Sequence, residues 1–224
     1  MSQKSVQSAR DIIAKALESS TNPCFTCSFQ AEDVAILDLL RRQRPEVTVL
    51  FLETGYHFAA LIAYRDRLAS EWNLNLVNME ALQPVAVQEA EFGKLYETDP
   101  NRCCSLRKVE PLMRSIANYD LWFTGLRREQ SPTRANLQPF DTHRFPDGRT
   151  LAKVSPLYDW TTAEVFAYLA VNEIPVVTLY SEGYTSIGCE PCTAKPAAGE
   201  HARSGRWGGS KLECGLHTVS VKES

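Results

Sequence analysis

Over the first 130 residues, short apolar or β-branched runs alternate with stretches of helical spacing. Residues 24–29 (CFTCSF) and 47–52 (VTVLFL) are nearly continuous runs of this kind, as expected of parallel strands covered on both faces. Residues 31–43 between them have the length and composition of a helix. Phe58, Leu61, Ile62, Leu68, Ala69 and Trp72 recur at helix spacing and define one apolar stripe. Residues 74–78 and 121–124 read as a third and a fourth strand, and Val109, Leu112, Met113 and Ile116 mark a helix just before the fourth. Alternation at this interval predicts a doubly wound α/β fold with a mostly parallel sheet.

Further along, residues 151–157 suit another strand, and Thr161-x-x-Glu164 reads as a capping box opening a helix through about Asn172. Beyond Pro175 the periodicity fades. Gly183, Gly188, Gly199, Gly205, Gly208, Gly209 and Gly215 fall in residues 181–224, out of 11 glycines in the chain. The expected organisation is therefore an α/β body over residues 1–180 and a mobile, functional Gly-rich segment over 181–224.

A length of 224 residues suits one domain with an appendage. With 27 acidic against 24 basic side chains the net charge is -3, which excludes bulk attraction to nucleic acid or an anionic membrane. No apolar run approaches the ~20 residues that span a bilayer. The first 20 residues lack the apolar core of a secretory signal, so a cytoplasmic protein is expected. The small net charge conceals an uneven distribution, because residues 101–149 carry 9 basic and 5 acidic side chains. Such a segment suits a small anionic ligand, although a solvated surface with extra arginines would look the same. Seven cysteines are many for the cytosol, where clustered thiols more often bind metal or do chemistry than form disulfides.

Open parallel sheets bind ligands at the carboxyl ends of their strands. The first strand runs into Ser28-Phe29-Gln30-Ala31-Glu32-Asp33 and then a helix, a junction whose free N–H groups and dipole suit phosphate or sulfate. The second ends in Glu53-Thr54-Gly55, and the fourth in Thr124-Gly125-Leu126-Arg127-Arg128-Glu129-Gln130-Ser131. Three small-residue loops on one edge, one with paired arginines, predict a nucleotide pocket.

Cys103 and Cys104 are adjacent, and Cys189-Glu190-Pro191-Cys192 follow some distance later. Four thiolates suffice for a tetrahedral zinc or a [4Fe–4S] centre. Adjacent ligands are awkward around one small ion, whereas a cubane lets neighbouring residues bind different irons. Two buried apolar cysteines with a redox-active loop pair are the bland alternative, and metal binding, iron–sulfur ahead of zinc, is favoured over it. Lys108, four residues after Cys104, would share its helix face and could offset the charge of a cubane, or be an ordinary exposed cation. Cys24 and Cys27 repeat the CxxC spacing inside the first predicted strand, where residues three apart face opposite ways, so they read as packing. Cys214 stands alone in Lys211-Leu212-Glu213-Cys214-Gly215-Leu216-His217, with His201, Arg203 and Arg206 upstream. Cationic neighbours favour a thiolate, hence a nucleophile over a spare thiol.

Taken together, these segments resemble the iron–sulfur class of assimilatory sulfonucleotide reductases, the adenylyl-sulfate (APS) reductases. The resemblance runs from Ser28 to His217. Besides the first two loops it rests on Cys103-Cys104-x-x-Arg107-Lys108-x-Glu110-Pro111-Leu112, Gly125-x-Arg127-Arg128-x-Gln130-Ser131 and Gly188-Cys189-x-x-Cys192-Thr193. It continues in Ala202-Arg203-x-Gly205-Arg206-Trp207 and Glu213-Cys214-Gly215-Leu216-His217. It implies a Rossmann-like adenine-nucleotide domain of the ATP-pyrophosphatase type, with one [4Fe–4S] cluster per subunit on Cys103, Cys104, Cys189 and Cys192. It also implies that Cys214 attacks the sulfur of adenylyl sulfate, and that thioredoxin or a glutaredoxin-like dithiol releases sulfite from the resulting S-sulfonate. Ser28, Thr54, Gly55, Lys108, Gly125, Arg127, Arg128, Arg203, Arg206 and His217 are the expected substrate-binding residues. A homo-oligomer is left open.

Three alternatives compete. A reductase for the 3′-phosphorylated substrate (PAPS) generally lacks the paired cysteines. An ATP-using enzyme that activates RNA or a small acid would carry Ser-Gly-Gly-x-Asp-Ser at the first strand, which residues 28–33 do not. A zinc-binding interaction module would be colourless and free of iron.

Overall fold

The computed structural model describes residues 3–209. A 15-residue helix α1 (Gln3–Leu17) precedes β1 (Pro23–Thr26), α2 (Ala31–Arg41), β2 (Thr48–Glu53), α3 (Ala59–Glu71) and β3 (Asn75–Glu80). Three short helices follow, α4 (Val85–Phe92), α5 (Leu95–Thr98) and α6 (Pro100–Cys104). A π-helical turn over Ser105–Val109 then leads into α7 (Glu110–Ile116) and β4 (Leu121–Phe123). The remaining regular elements are β5 (Phe140–Arg144), β6 (Thr150–Val154) and α8 (Thr162–Val171).

The sheet order is β3-β2-β1-β4-β6-β5. All neighbours run parallel except β5, which lies antiparallel to β6 at one edge. The doubly wound reading therefore holds, with an antiparallel edge strand that the sequence pattern does not announce. The central strands are apolar on both sides because both faces are covered. Phe25, Cys27, Val49, Phe51 and Phe123 pack with α1, α2, α3 and α8 on one face. Cys24, Leu50 and Trp122 pack with Leu112 and Ile116 of α7 on the other. Edge strand β3 exposes Val77 and buries only Met79, which accounts for its weaker apolar signal.

The predicted capping box is formed: Thr161 Oγ1 accepts from the Glu164 N–H, and Glu164 Oε2 accepts from the Thr161 N–H. Asp38, fully buried in α2, is held by Arg41 at 2.7 Å, Arg42 at 3.0 Å and the Tyr168 hydroxyl at 2.7 Å, which ties α2 to α8. The first strand is shorter than the pattern suggests. Cys27 still donates to Leu50 O at 2.9 Å, and the chain then leaves the sheet. Helices α1 and α4 to α6 lie where the sequence reading assigns no element. Among the described residues no helix is long and apolar enough to cross a membrane.

Strand order reverses between β1 and β4, since β2 and β3 extend to one side of β1 and β4 begins the other. Such a reversal opens a crevice at the carboxyl ends of the two strands. The segment after α8 returns to this crevice. Ile187 joins the core beneath it, its N–H donates to Gln30 Oε1 at 2.8 Å, and the Glu190 N–H donates to Tyr56 O at 2.7 Å.

Candidate active site

A cleft opens at this reversal. Its wall includes Thr26, Cys27 and Ser28 from the end of β1, Glu32 and Asp33 from α2, and Gly125 and Leu126 after β4. Leu50, Leu52, Met79 and Leu112 supply an apolar lining, and Lys108, Arg134, Arg203 and Arg206 supply cations. The cleft is open to solvent on one side, and its enclosed part amounts to about 190 Å³.

A second, smaller cavity lies against the first. Cys103, Cys104, Cys189 and Cys192 surround it, together with Tyr56, Tyr96, Pro100, Arg107 and Lys108. Lys108 and Cys189 line both cavities and so form a shared wall. The π-helical turn explains part of this placement. One extra residue per turn after Cys104 rotates the following side chains, and both Arg107 and Lys108 are buried next to the paired cysteines. Arg107 is held there by Thr54 O, by Gln83 O at 3.2 Å and by Gln88 Oε1 at 3.2 Å. On the other side, Glu190–Cys192 form a tight 3₁₀ turn closed by the Cys192 N–H on Cys189 O at 3.0 Å. Burial, followed by the neighbouring sulfurs of Cys104, Cys189 and Cys192, pushes the Cys103 thiol up to about 11. The adjacent Lys108 ammonium opposes that rise. Among the described residues no three His, Cys, Asp or Glu side chains converge on a single-ion site. The four sulfurs ring a cavity instead of meeting at a point.

The segment that carries the arginines is folded back on the CxxC. Thr193 and Arg206 form an antiparallel bridge, and the Ala194 N–H donates to Gly205 O at 2.8 Å. Gly205 is required by this fit, because a Cβ there would overlap Ala194 O, and a Cβ at Gly188 would push the Arg206 guanidinium aside. Trp207 is buried with a left-handed backbone (φ 49°), its ring under the Arg206 guanidinium at 4.6 Å and 6.0 Å from Lys108 Nζ.

At the other wall three donors of the β1–α2 turn, the Ser28 N–H, the Ser28 hydroxyl and the Ala31 N–H, have partners within the protein. Asp33 Oδ2 accepts from the Ser28 N–H at 2.6 Å and from the Ser28 hydroxyl at 2.5 Å. Tyr180 Oη accepts the Ala31 N–H at 3.1 Å. Burial and the neighbouring Glu32 carboxylate push the Asp33 carboxyl up to about 7, against the opposing Ser28 bonds and Arg127. Gly125 makes room for this arrangement, because a Cβ there would overlap Asp33 Oδ1. His57, also on the wall, donates from Nε2 to Leu52 O at 2.7 Å, and burial lowers its pKa.

Of the residues expected to bind substrate, Ser28, Thr54, Lys108, Gly125, Arg203 and Arg206 stand on the cleft wall. Thr54 also lies 3.4 Å from Cys189 Sγ. Gly55, Arg127 and Arg128 are placed otherwise. Gly55 has a left-handed backbone (φ 74°) and packs on Val85, where a Cβ would stand 2.5 Å from Cγ2. The Arg127 guanidinium is bound to Trp160 O at 3.0 Å, Glu129 and Thr162, and Arg128 to Leu137 O at 2.8 Å and the Tyr158 ring. Cys214 and His217 lie outside the described residues. His57 and Arg134 line the cleft without any spacing in the sequence that would single them out.

Comparison with known proteins agrees with this geometry. Residues 22–195 match the phosphoadenosine phosphosulfate reductase domain family. The chain is 46% identical over 188 residues to an adenosine 5′-phosphosulfate reductase of Rhodococcus erythropolis, covering 83% of this chain and 75% of that one. It is 45% identical over 198 residues to the protein of that name from Mycobacterium tuberculosis, covering 86% and 77%. The fold is also that of a phosphoadenylyl-sulfate reductase from Candida auris (TM-score 0.72, 23% identity, 87% of this chain and 98% of that one). A Candida glabrata FMN adenylyltransferase shares it at TM-score 0.66 and 16% identity, over 87% and 66%. By the span of the family match and the identity to the two bacterial reductases, the chain belongs to the phosphoadenosine phosphosulfate reductase family.

Proposed function

We propose that the chain reduces adenosine 5′-phosphosulfate to sulfite and AMP, with a separate dithiol protein as the electron donor. The observation that carries this reading is the shared wall: the open cleft at the strand-order reversal and a cavity lined by four cysteines meet at Lys108 and Cys189. The relatives of about 45% identity carry the name of this activity.

The donor set fits an iron–sulfur group. Four thiols from two segments surround one cavity, with the buried cations Arg107 and Lys108 beside them. Sulfurs spaced around a cavity suit separate irons of a [4Fe–4S] cluster better than a single tetrahedral zinc. Cys103, Cys104, Cys189 and Cys192 would hold it, one cluster per subunit. When bound, it supplies a tie between the α6 and CxxC segments and a fixed negative charge beside the cleft.

Lys108, Arg203 and Arg206 meet the phosphate and sulfate oxygens and neutralise charge as the anionic substrate is attacked. Arg127 and Arg128 act indirectly, holding the loop after β4 through their carbonyl partners. The nucleophile is the Cys214 thiolate. It bonds to the substrate sulfur, the bond from that sulfur to the bridging oxygen breaks, and AMP leaves with the electron pair. His217, three residues on, joins the substrate contacts. The product on the enzyme is a cysteine S-sulfonate. A thiolate of thioredoxin or of a glutaredoxin-like protein then attacks the Cys214 sulfur, and sulfite departs with the electron pair of the sulfur–sulfur bond. The second thiol of the donor resolves the mixed disulfide, so both electrons come from the dithiol. The cytoplasm, where such reductants keep thiols reduced, is the matching compartment.

The test is anaerobic purification followed by mass spectrometry of the protein mixed with adenylyl sulfate and no reductant. A sulfonate adduct on Cys214 is expected, together with stoichiometric AMP. The Cys214→Ser protein is expected to retain its brown colour and form no adduct. Sulfite formation by that variant at the wild-type rate would remove Cys214 as nucleophile. A clear preference for the 3′-phosphorylated substrate would overturn the choice of nucleotide.

A further inference from the structure

The cysteine cavity is walled unevenly. Part of its wall is the loop after β2, but Tyr96 and Pro100 come from α5 and the start of α6. The segment that leads into this wall is lightly held. Helix α4 buries only Gln88 and α5 only Leu95, and no residue of either belongs to the two apolar clusters that cover the sheet. The two helices meet at Gly93, which has a left-handed backbone (φ 69°) and open space where a side chain would stand. A segment with so few buried apolar contacts opens locally at low cost unless particular contacts hold it down.

Those contacts converge on Tyr56. Its hydroxyl donates to Glu89 Oε1 of α4 at 2.9 Å. Its ring meets the Tyr96 ring of α5 edge to face, with centroids 5.2 Å apart and planes at 76°. The Arg107 guanidinium stands 5.5 Å from the same ring and also bonds to Gln83 O and Gln88 Oε1. On the other side Tyr56 O accepts the Glu190 N–H at 2.7 Å, within the turn that carries Cys189 and Cys192. One residue therefore touches α4, α5, the buried cation beside the paired cysteines and the loop that bears the other two.

We propose that Tyr56 is a positioning residue for the cysteine centre: with Glu89 and Tyr96 it latches the α4–α5 segment over the cavity and keeps solutes from the group that the four sulfurs hold. This rests on the iron–sulfur reading above and deepens it. An edge-to-face ring pair and a hydrogen bond to a carboxylate are each modest attractions. Losing one raises the open population of the segment by a small, definite factor. The sheet does not unfold, because its two apolar clusters owe nothing to α4 or α5.

The measurement is anaerobic extraction of iron from the holoprotein by a coloured ferrous chelator, alongside hydrogen exchange of residues 85–98. Neither needs turnover. Tyr56→Phe is expected to release iron about fivefold faster than wild type. Tyr96→Ala is expected to do so about tenfold faster, and Tyr96→Phe, which keeps the ring, at the wild-type rate. Exchange over 85–98 is expected to quicken in step, with the melting temperature nearly unchanged. If Tyr96→Ala does not assemble its iron, Tyr56→Phe and Glu89→Ala carry the test, because both leave the rings on the cavity wall. Variants with full iron that release it at the wild-type rate overturn the assignment, as does faster exchange spread over the whole chain. If anaerobically prepared wild-type protein holds no iron, the parent reading falls and takes this one with it.

Discussion

Cys24 and Cys27 lie on and just beyond β1, whereas Cys189 and Cys192 flank a 3₁₀ turn on a loop that returns to the cleft. The spacing is the same in both pairs, but the backbone differs. Along an extended strand, residues three apart face opposite sides. Cys24 accordingly packs with Leu50 and Trp122, while Cys27 packs with Phe51 and the helices of the other face. In the turn, the Cys192 N–H closes on Cys189 O, and both sulfurs reach the cavity shared with Cys103 and Cys104. A motif of two cysteines therefore has no chemistry of its own until the backbone that carries it is known.

The sharpest way to break this comparison is to remove one sulfur from each pair. Cys192→Ala is expected to lose bound iron and sulfite formation together. Cys24→Ala is expected to keep both, at a stability cost of about 1 kcal/mol for the small void left beside Trp122. Iron analysis, activity and denaturant melts of the two variants decide it. A Cys192→Ala protein with full iron would falsify the assignment of that cysteine.

A smaller effect is expected from the glycines that let the second pair sit where it does. Gly205→Ala would drive a methyl into Ala194 O, and Gly188→Ala would displace the Arg206 guanidinium. Both are expected to lower kcat/KM for adenylyl sulfate by roughly tenfold to a hundredfold, through misplacement of the cations. Global stability is expected to fall by only about 1–2 kcal/mol. Steady-state kinetics alongside thermal melts test this; loss of stability without loss of kcat/KM would make these glycines purely structural.

The alternation of apolar runs was enough to read the parallel sheet and the helices that cover it, because burial on both faces leaves a continuous signal in β1, β2 and β4. Helix α1 does carry a legible stripe, since Val6, Ala9, Ile13, Ala16 and Leu17 recur at helix spacing and pack on the core, and the reading of the first residues for a secretory signal passed over it. Strand β5 escaped because only His143 of its five residues is buried, so an edge strand looks polar. Within the site, the paired cysteines and the strand-end loops were legible from spacing. The protein partners of Arg127 and Arg128 were not, since nothing in a basic pair announces that its guanidinium groups bond to backbone carbonyls such as Trp160 O and Leu137 O. The π-helical turn that buries Lys108 likewise has no spacing signature.

The finest test concerns the surroundings of the first pair, where Asp33 stands close enough to Cys27 for its charge to add to burial in raising that thiol. Burial and Glu32 raise the Asp33 carboxyl itself from 3.8 to about 7 in the folded protein. Between these two values the folded state holds more of this proton than the unfolded chain does. The contribution of Asp33 to stability is therefore fully present below the unfolded value and is lost as pH rises through about 7. Asp33→Asn has no such titration, and its amide oxygen can still accept from Ser28. The variant is thus expected to gain on wild type between pH 5 and pH 8, on the order of 1 kcal/mol or a few degrees in Tm. Thermal melts across that range measure it. A difference in Tm independent of pH would mean that Asp33 is ionised throughout, stabilised by Ser28 and Arg127 more strongly than Glu32 and burial oppose it. The acidic turn would then hold two full negative charges at every pH at which the cleft meets its nucleotide.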